Sequence, residues 1–373
     1  MTKDKIIIAG GGLAGLISSI HLTRSGVPCI VIEKKSYPFH RVCGEYISNE
    51  VVPYLQWLGV YPEQVKPSHI KRFVLTSVNG AFAEMPLDLG CFGISRFTFD
   101  HYLYNVAKTN GVEFLLDTEV EKIEFVNDRF TVATPFKNYE TSLVIGSFGK
   151  RSRLDVSLSR SFIRKRSPYV GVKYHIRLND FPNDLIALHN FKDGYCGISH
   201  VENGILNLCY LSHRDNLRKY GSISGMEKAV LYQNPHLKSI FENAEILFEK
   251  PETINEISFE TKSPIDQHIL MTGDAAGMIS PLCGNGMAMA IHSAKIVSEH
   301  VSWFYHHNEY SREELEKDYA AAWRRQFATR LWSGRQIQRL FGGVTASNLA
   351  VNLANKLQPV ARFLMKQTHG KPF

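Results

Sequence analysis

The 373-residue sequence is short of several things, and each shortage removes a class of protein. No run approaches the roughly 18 consecutive apolar residues that a membrane-spanning helix needs. The six cysteines (29, 43, 91, 196, 209 and 283) are scattered and form no C-x-x-C pair. That spacing predicts neither a disulfide framework nor a zinc site, and suits a reduced, cytoplasmic setting with no metal. No signal-peptide pattern precedes the apolar run at Lys5 to Ala9. Internal repeats and low-complexity tracts are absent. No nucleic-acid-binding module is recognisable, so nucleic acid is not an expected partner. Acidic residues run out altogether at Tyr319; beyond it lie nine basic residues and no Asp or Glu. The overall charge of +7 therefore belongs to the C-terminal arm, and the rest of the chain is close to neutral.

What remains is a globular composition, 44% apolar and 21% charged, long enough for two interlocked domains. The chain opens with a βαβ pattern. Strand Lys5–Ala9 runs into glycines, and a helix follows with Leu13, Leu16, Ile17 and Ile20 on one face, stopping at Gly26. Pro28 to Ile32 is a second strand. A short helix is expected from about 48 to 58 and a longer one over 97–109. Strands are expected within 70–96 and 113–135, and at Leu143–Ile145. From 156 to 260 strand-like runs recur between turn signals such as Asn179-Asp180 and Asn203-Gly204, which predicts an inserted antiparallel sheet. His268–Thr272 returns as a buried strand, a long helix follows from Gly286, and the rest is helical. The expected fold class is α/β with an α+β insert. Its nucleotide-binding domain comprises 1–155 and 262–304, with 70–95 allowed to join the substrate sheet. A substrate domain spans 156–261, and a basic helical segment spans 305–373.

Two glycine-rich segments carry the chemistry. Gly10, Gly12 and Gly15 fit G-x-G-x-x-G between a strand and a helix, with Leu13 and Ala14 inside the turn. Such a turn lets the backbone approach a pyrophosphate at a helix N-terminus. Glu33 ends the second strand, where a carboxylate can accept from ribose hydroxyls, and Lys34 follows it. The second segment runs from Gly273-Asp274 to Gly284, Gly286 and Met287. An Asp at a strand's carboxyl end suits a ribityl hydroxyl. The helix beginning at Gly286 would turn its positive end toward a flavin ring. A plain NAD site has no need of this second segment. Together the two predict FAD held along its length.

With these residues, with Arg41-Val42-Cys43-Gly44, and with Arg96, Asp100 and Leu103, the chain resembles the p-hydroxybenzoate-hydroxylase-like FAD superfamily, in its geranylgeranyl-reductase-related branch. The resemblance covers about residues 1–305. It implies that Arg41 and Arg96 lie along the pyrophosphate and ribityl chain, that Val120 meets the adenine through its backbone, and that Cys43-Gly44-Glu45 sits at the flavin edge. Cys43 and Glu45 are the candidate catalytic residues, Glu45 as a general acid. Three departures from the family matter. Phe148 stands where many hydroxylases carry the Asp of a Gly-Ala-Asp-Gly motif, which argues against direct reduction by NADPH. Tyr195-Cys196-Gly197 keeps only the Tyr of the Tyr-x-Trp-x-Phe-Pro segment of archaeal prenyl reductases. The Trp-x-Trp-x-Ile-Pro signature of flavin halogenases is absent.

The favoured activity is flavin-mediated hydride transfer at a C–C bond of an apolar or carrier-bound substrate. The alternatives are flavin-hydroperoxide hydroxylation and, in another class, flavin-free prenyl binding of the escort-protein kind. NAD(P)H is admitted as a transient reductant without a binding domain of its own. Tyr174, Tyr195 and Tyr210, with His175 nearby, are the expected substrate-pocket residues on the inserted sheet. Cys283 is read as a small packing residue. The basic arm is read as a packed closing helix, with an acidic protein partner or an anionic membrane surface as the alternative.

Overall fold

The computed structural model describes residues 4–165, 167–255, 257, 259–278, 280, 284–338, 343–367 and 369–373. Its centre is a six-stranded sheet. In spatial order the strands are Ile265–Asp266, Ile269–Met271, Val144–Gly146, Ile6–Ala9, Cys29–Ile32 and Glu113–Leu115. All neighbours run parallel except the first pair, which is antiparallel. Ile6–Ala9 and Cys29–Ile32 are buried at every position, as continuous apolar strands in a covered parallel sheet must be. The helices Leu13–Arg24 and Gly286–His306 pack on each other against this layer. A three-stranded antiparallel sheet, Lys122–Val126, Arg129–Ala133 and Asn138–Thr141, adds Ile123, Phe130 and Val132 to the same core.

The second layer is a nine-stranded sheet. Its middle runs Tyr169–Arg177, Leu206–His213, Gly194–His200, Leu185–Phe191, Ser68–Thr76 and Phe82–Gly93. The pairing of Leu185–Phe191 with Ser68–Thr76 is parallel; its other neighbour, Gly194–His200, is antiparallel. Alternation decides what each face meets. Along Tyr169–Arg177, Val170, Val172, Tyr174 and Ile176 enter a core with Met226, Val230, Leu237 and Ile240. Those last four come from helices Ile223–Val230 and Pro235–Asn243, which the strand-dominated reading of 156–260 did not anticipate. The opposite face of the sheet looks back toward the nucleotide-binding layer.

The C-terminal helix Arg312–Gln338 places Leu315, Tyr319, Trp323, Phe327 and Leu331, one every fourth residue, in the main core. Its Tyr319 hydroxyl donates to the Met271 carbonyl at 2.5 Å. Part of the arm's basicity is structural, since Arg330 is buried and ion-paired with Glu50 at 3.2 Å. Arg324 and Arg325 are exposed. Among the described residues no helix is long and apolar enough to cross a membrane.

Candidate functional site

A cavity of about 630 Å³ lies between the two layers, at the carboxyl ends of the parallel strands. Ala9, Ile32, Thr272 and Gly273 mark those ends in its wall. At one extremity the chain is pared to backbone. Gly10 has φ of +108°, and a Cβ there would stand 2.6 Å from the Ser147 carbonyl oxygen. A Cβ on Gly15 would overlap the Gly10 carbonyl oxygen, so helix Leu13–Arg24 approaches the turn as closely as it does only because this position is glycine. The helix begins at Gly12 with no side-chain cap, and its first amide groups are left for an anion. Helix Gly286–His306 begins at the same cavity, also without a side-chain cap.

Polar groups are set along the cavity between these helix ends. Glu33 is buried; one carboxylate oxygen accepts from the Gly11 amide at 2.8 Å, the other from the Lys35 amide at 3.2 Å. Arg41, half-buried, stands 3.4 Å from Glu33 through Nη2 and 3.4 Å from Asp100 through Nε. Arg96 is clamped by Asp100 through two bonds of 2.7 and 2.6 Å. Burial opposes the Arg96 charge, but the Asp100 carboxylate outweighs it and holds the guanidinium above its ordinary value. Lys262, which the sequence reading passed over, is buried and donates to the carbonyls of Asp274 at 2.8 Å and Lys150 at 2.7 Å. Burial pushes its amine down to about 8, despite Asp155 and Asp274 nearby.

The predicted cofactor residues Gly10, Gly12, Leu13, Ala14, Glu33, Lys34, Arg41, Gly44, Arg96, Val120, Gly273, Asp274, Gly284, Gly286 and Met287 all line this one cavity. Gly15 does not line it and acts through the close approach just described. Phe148 is half-buried and lines it too. Cys283, with Pro281 and Leu282, lies outside the described residues.

The catalytic expectation for Glu45 needs correction. Glu45 is fully buried, with φ of +54°, and reaches three other segments. It accepts from Lys173 Nζ at 2.5 Å, from the Arg96 amide at 2.8 Å, and pairs with His175 Nε2 at 2.7 Å. Burial alone would push the carboxyl up. Lys173 and His175 together outweigh that, and Glu45 lies below the ordinary carboxyl range. A general acid needs the opposite shift. Glu45 is a buried anchor that ties the Cys43–Glu45 loop to the sheet. Lys173, fully buried in an apolar strand, is the partner of Glu45 that the sequence reading missed. The available signal was a lone lysine in the apolar run Val170–Ile176. Cys43 is half-buried and lines the cavity, and the carbonyls of Cys43 and Gly44 accept from Asn207 Nδ2 at 3.2 and 2.9 Å.

The tyrosines divide by strand phase. Tyr195 lines the cavity beside Ile186, Leu188 and Leu211. Tyr174 does not line it. Its hydroxyl and that of Tyr210 both donate to Glu227 Oε1, at 2.9 and 2.7 Å, within the core on the other face of the sheet. Tyr210 touches the cavity wall, yet its hydroxyl points away with that of Tyr174, so of these three tyrosines Tyr195 is the one not drawn to Glu227. The cause is the two-residue period of a strand: Lys173 and His175 take the inward positions that flank Tyr174.

A glycine cradle, two uncapped helix starts, a carboxylate at the second strand and a half-buried arginine beside it fit an extended dinucleotide. Residues 3–175 match the family described as the FAD binding domain. That match takes in a little under half of the chain, and it supports an FAD-dependent oxidoreductase. FAD is its cofactor, which leaves the flavin-free escort reading without support.

Over 340 residues it is 24% identical to digeranylgeranylglycerophospholipid reductase of Methanococcus vannielii, covering 86% of this chain and 82% of that protein. Over 368 residues it is 24% identical to conditioned medium factor receptor 1 of Dictyostelium discoideum, covering 85% of this chain and 67% of the receptor. The flavin-dependent halogenase CmlS superposes with a TM-score of 0.74 at 19% identity, over 89% of this chain. The chain spans 64% of CmlS, less than two thirds of its length. The superposition establishes the fold, and likeness to a reductase, a receptor and a halogenase leaves the reaction open.

Proposed function

We propose that this flavoprotein reduces, or in reverse dehydrogenates, a C–C bond of an apolar substrate by hydride transfer. The carrying observation is the half of the cavity beyond Cys43. There Phe73, Ile186, Leu188, Leu211, Ile254 and Ile257 present an apolar chamber that would hold an unsaturated hydrocarbon segment and exclude water. FAD, when bound, supplies the two-electron hydride chemistry. The protein's part is to orient the double bond and to supply one proton. In the reducing direction, hydride adds to one alkene carbon and a proton to the other, leaving a saturated bond. With Glu45 locked in its ion pairs, the proton falls to the Cys43 thiol, and the half-buried thiolate regains it from water. The likeness to a reductase of prenylated lipids supports the same substrate class.

The test is anaerobic reduction of the purified flavoprotein with NADH, NADPH and dithionite, followed by addition of a polyprenyl substrate or air. Reoxidation by the alkene with formation of its dihydro product is the expected result. NADPH oxidation matched by oxygen uptake and a hydroxylated product would overturn the proposal in favour of a monooxygenase. Cys43→Ala should slow turnover with the flavin spectrum unchanged. An unaltered rate would remove Cys43 from proton delivery.

A further inference from the structure

The apolar cluster at the substrate end of the cavity does not stop at the sheet. Leu188, Tyr195, Leu211 and Ile257 continue into Val351 and Ala354 of helix Val344–Lys356 and Ala361 of helix Gln358–Lys366. These two C-terminal helices therefore wall the apolar chamber from outside. Their other side is not polar as a solvent face should be. Leu349 is 67% exposed, Leu357 51% and Val360 43%, and Leu353, one turn on from Leu349, is only half-buried. The row 349, 353, 357, 360 keeps helical spacing across the junction of the helices. Phe82, 57% exposed, is held beside it, because its carbonyl accepts from Asn355 Nδ2 at 2.9 Å. Scattered exposed leucines need no explanation, but a row flanked by an aromatic does.

The charges that this segment itself carries have one sign. From residue 343 onward the sequence holds Lys356, Arg362, Lys366 and Lys371 and no acidic residue. Lys356 is exposed; Lys366 meets Asp88 of the neighbouring strand at 3.0 Å. An exposed apolar row on a segment whose own charges are all basic complements a lipid surface that is negative at its headgroups and apolar beneath them. An acidic protein would match the cations and leave the leucines uncovered.

We infer that helices Val344–Lys356 and Gln358–Lys366 dock on an anionic membrane surface, placing the wall of the substrate chamber against the lipid. The docking explains how a substrate too apolar for water would reach the chamber. It goes beyond the hydride-transfer proposal without depending on it, since either can fail alone.

The experiment is co-sedimentation of the FAD-loaded protein with phosphatidylcholine vesicles, with mixed phosphatidylglycerol–phosphatidylcholine vesicles, and, as a soluble acidic probe, retention on immobilised polyglutamate. Preferential binding to the phosphatidylglycerol vesicles, weakened by salt, is expected. Leu349→Asp with Leu357→Asp should lower that partition by about tenfold or more. Lys356→Glu, at an exposed site that does not disturb folding, should lower it by about fivefold and flatten the salt dependence. Flavin content of each variant reports that the protein is intact. Absence of binding to phosphatidylglycerol vesicles would overturn the inference. So would unchanged binding by both variants, or retention by polyglutamate alone, which would assign the surface to an acidic protein.

Discussion

Replacing Glu45 by glutamine tests the reassignment of this residue from proton donor to buried anchor. The substitution keeps the volume and removes the charge. Lys173 then has no exposed surface and no counter-charge, only neutral acceptors in the glutamine amide oxygen and the Arg41 carbonyl at 3.3 Å. Breaking a buried ion pair on one side costs ~3–5 kcal/mol, because the stranded charge keeps its desolvation penalty. Lys173→Met should cost a similar amount by stranding Glu45. The double variant should recover much of the loss, since replacing both partners of such a pair is often close to neutral. Urea unfolding of the FAD-loaded protein, followed by tryptophan fluorescence, reads all three, and the non-additivity is the decisive quantity. The sign of the pH effect follows from the lowered Glu45 carboxyl. Its contribution is complete above the ordinary value of 4.5 and is lost as pH falls through the depressed folded-state value, so wild type and Glu45→Gln should converge in acid. A loss below about 1 kcal/mol, the range of an exposed pair, or simple additivity of the two single changes, would refute the reasoning.

Other expectations concern the cofactor end of the cavity. Gly10→Ala forces a side chain into a left-handed conformation and toward the Ser147 carbonyl; at ~1–2 kcal/mol for the backbone alone, the flavin retained after purification should fall by about tenfold or more. Asp274→Ala should weaken FAD retention while leaving unfolding of the FAD-free protein little changed; full flavin content would remove Asp274 from the site. Lys262 binds fewer protons folded than unfolded between about 8 and 10.5, so it makes stability rise with pH across that window. Lys262→Met should flatten the rise in unfolding midpoints between about pH 8 and 10.5, and an identical slope in the variant would contradict the burial argument.

How much of this was legible in the sequence depends on the distance over which each feature is specified. The strand–glycine–helix turn at Gly10 to Gly15, Glu33 at the end of the next strand, and the Gly273–Gly286 segment are local patterns. Each states its own backbone geometry, so the cofactor and the layer that holds it could be read before any fold was seen. The helical character of the C-terminal arm was legible too, and its every-fourth-residue apolar row from Leu315 to Leu331 is a helical signal. The tertiary structure alone decided what those local patterns meet. Glu45 finds Lys173 and His175 at sequence separations of 128 and 130 residues, and no local signal reveals such a partnership. The phase of strand Tyr169–Arg177 turned Tyr174 away and Lys173 inward, because a shift of one residue exchanges the two faces. Cofactor recognition is written in backbone turns that the chain makes within a few residues. The substrate chamber, the buried charge beneath it and the outer face of its wall arise where distant segments pack, and only packing sets which side chains share a face and which are left exposed.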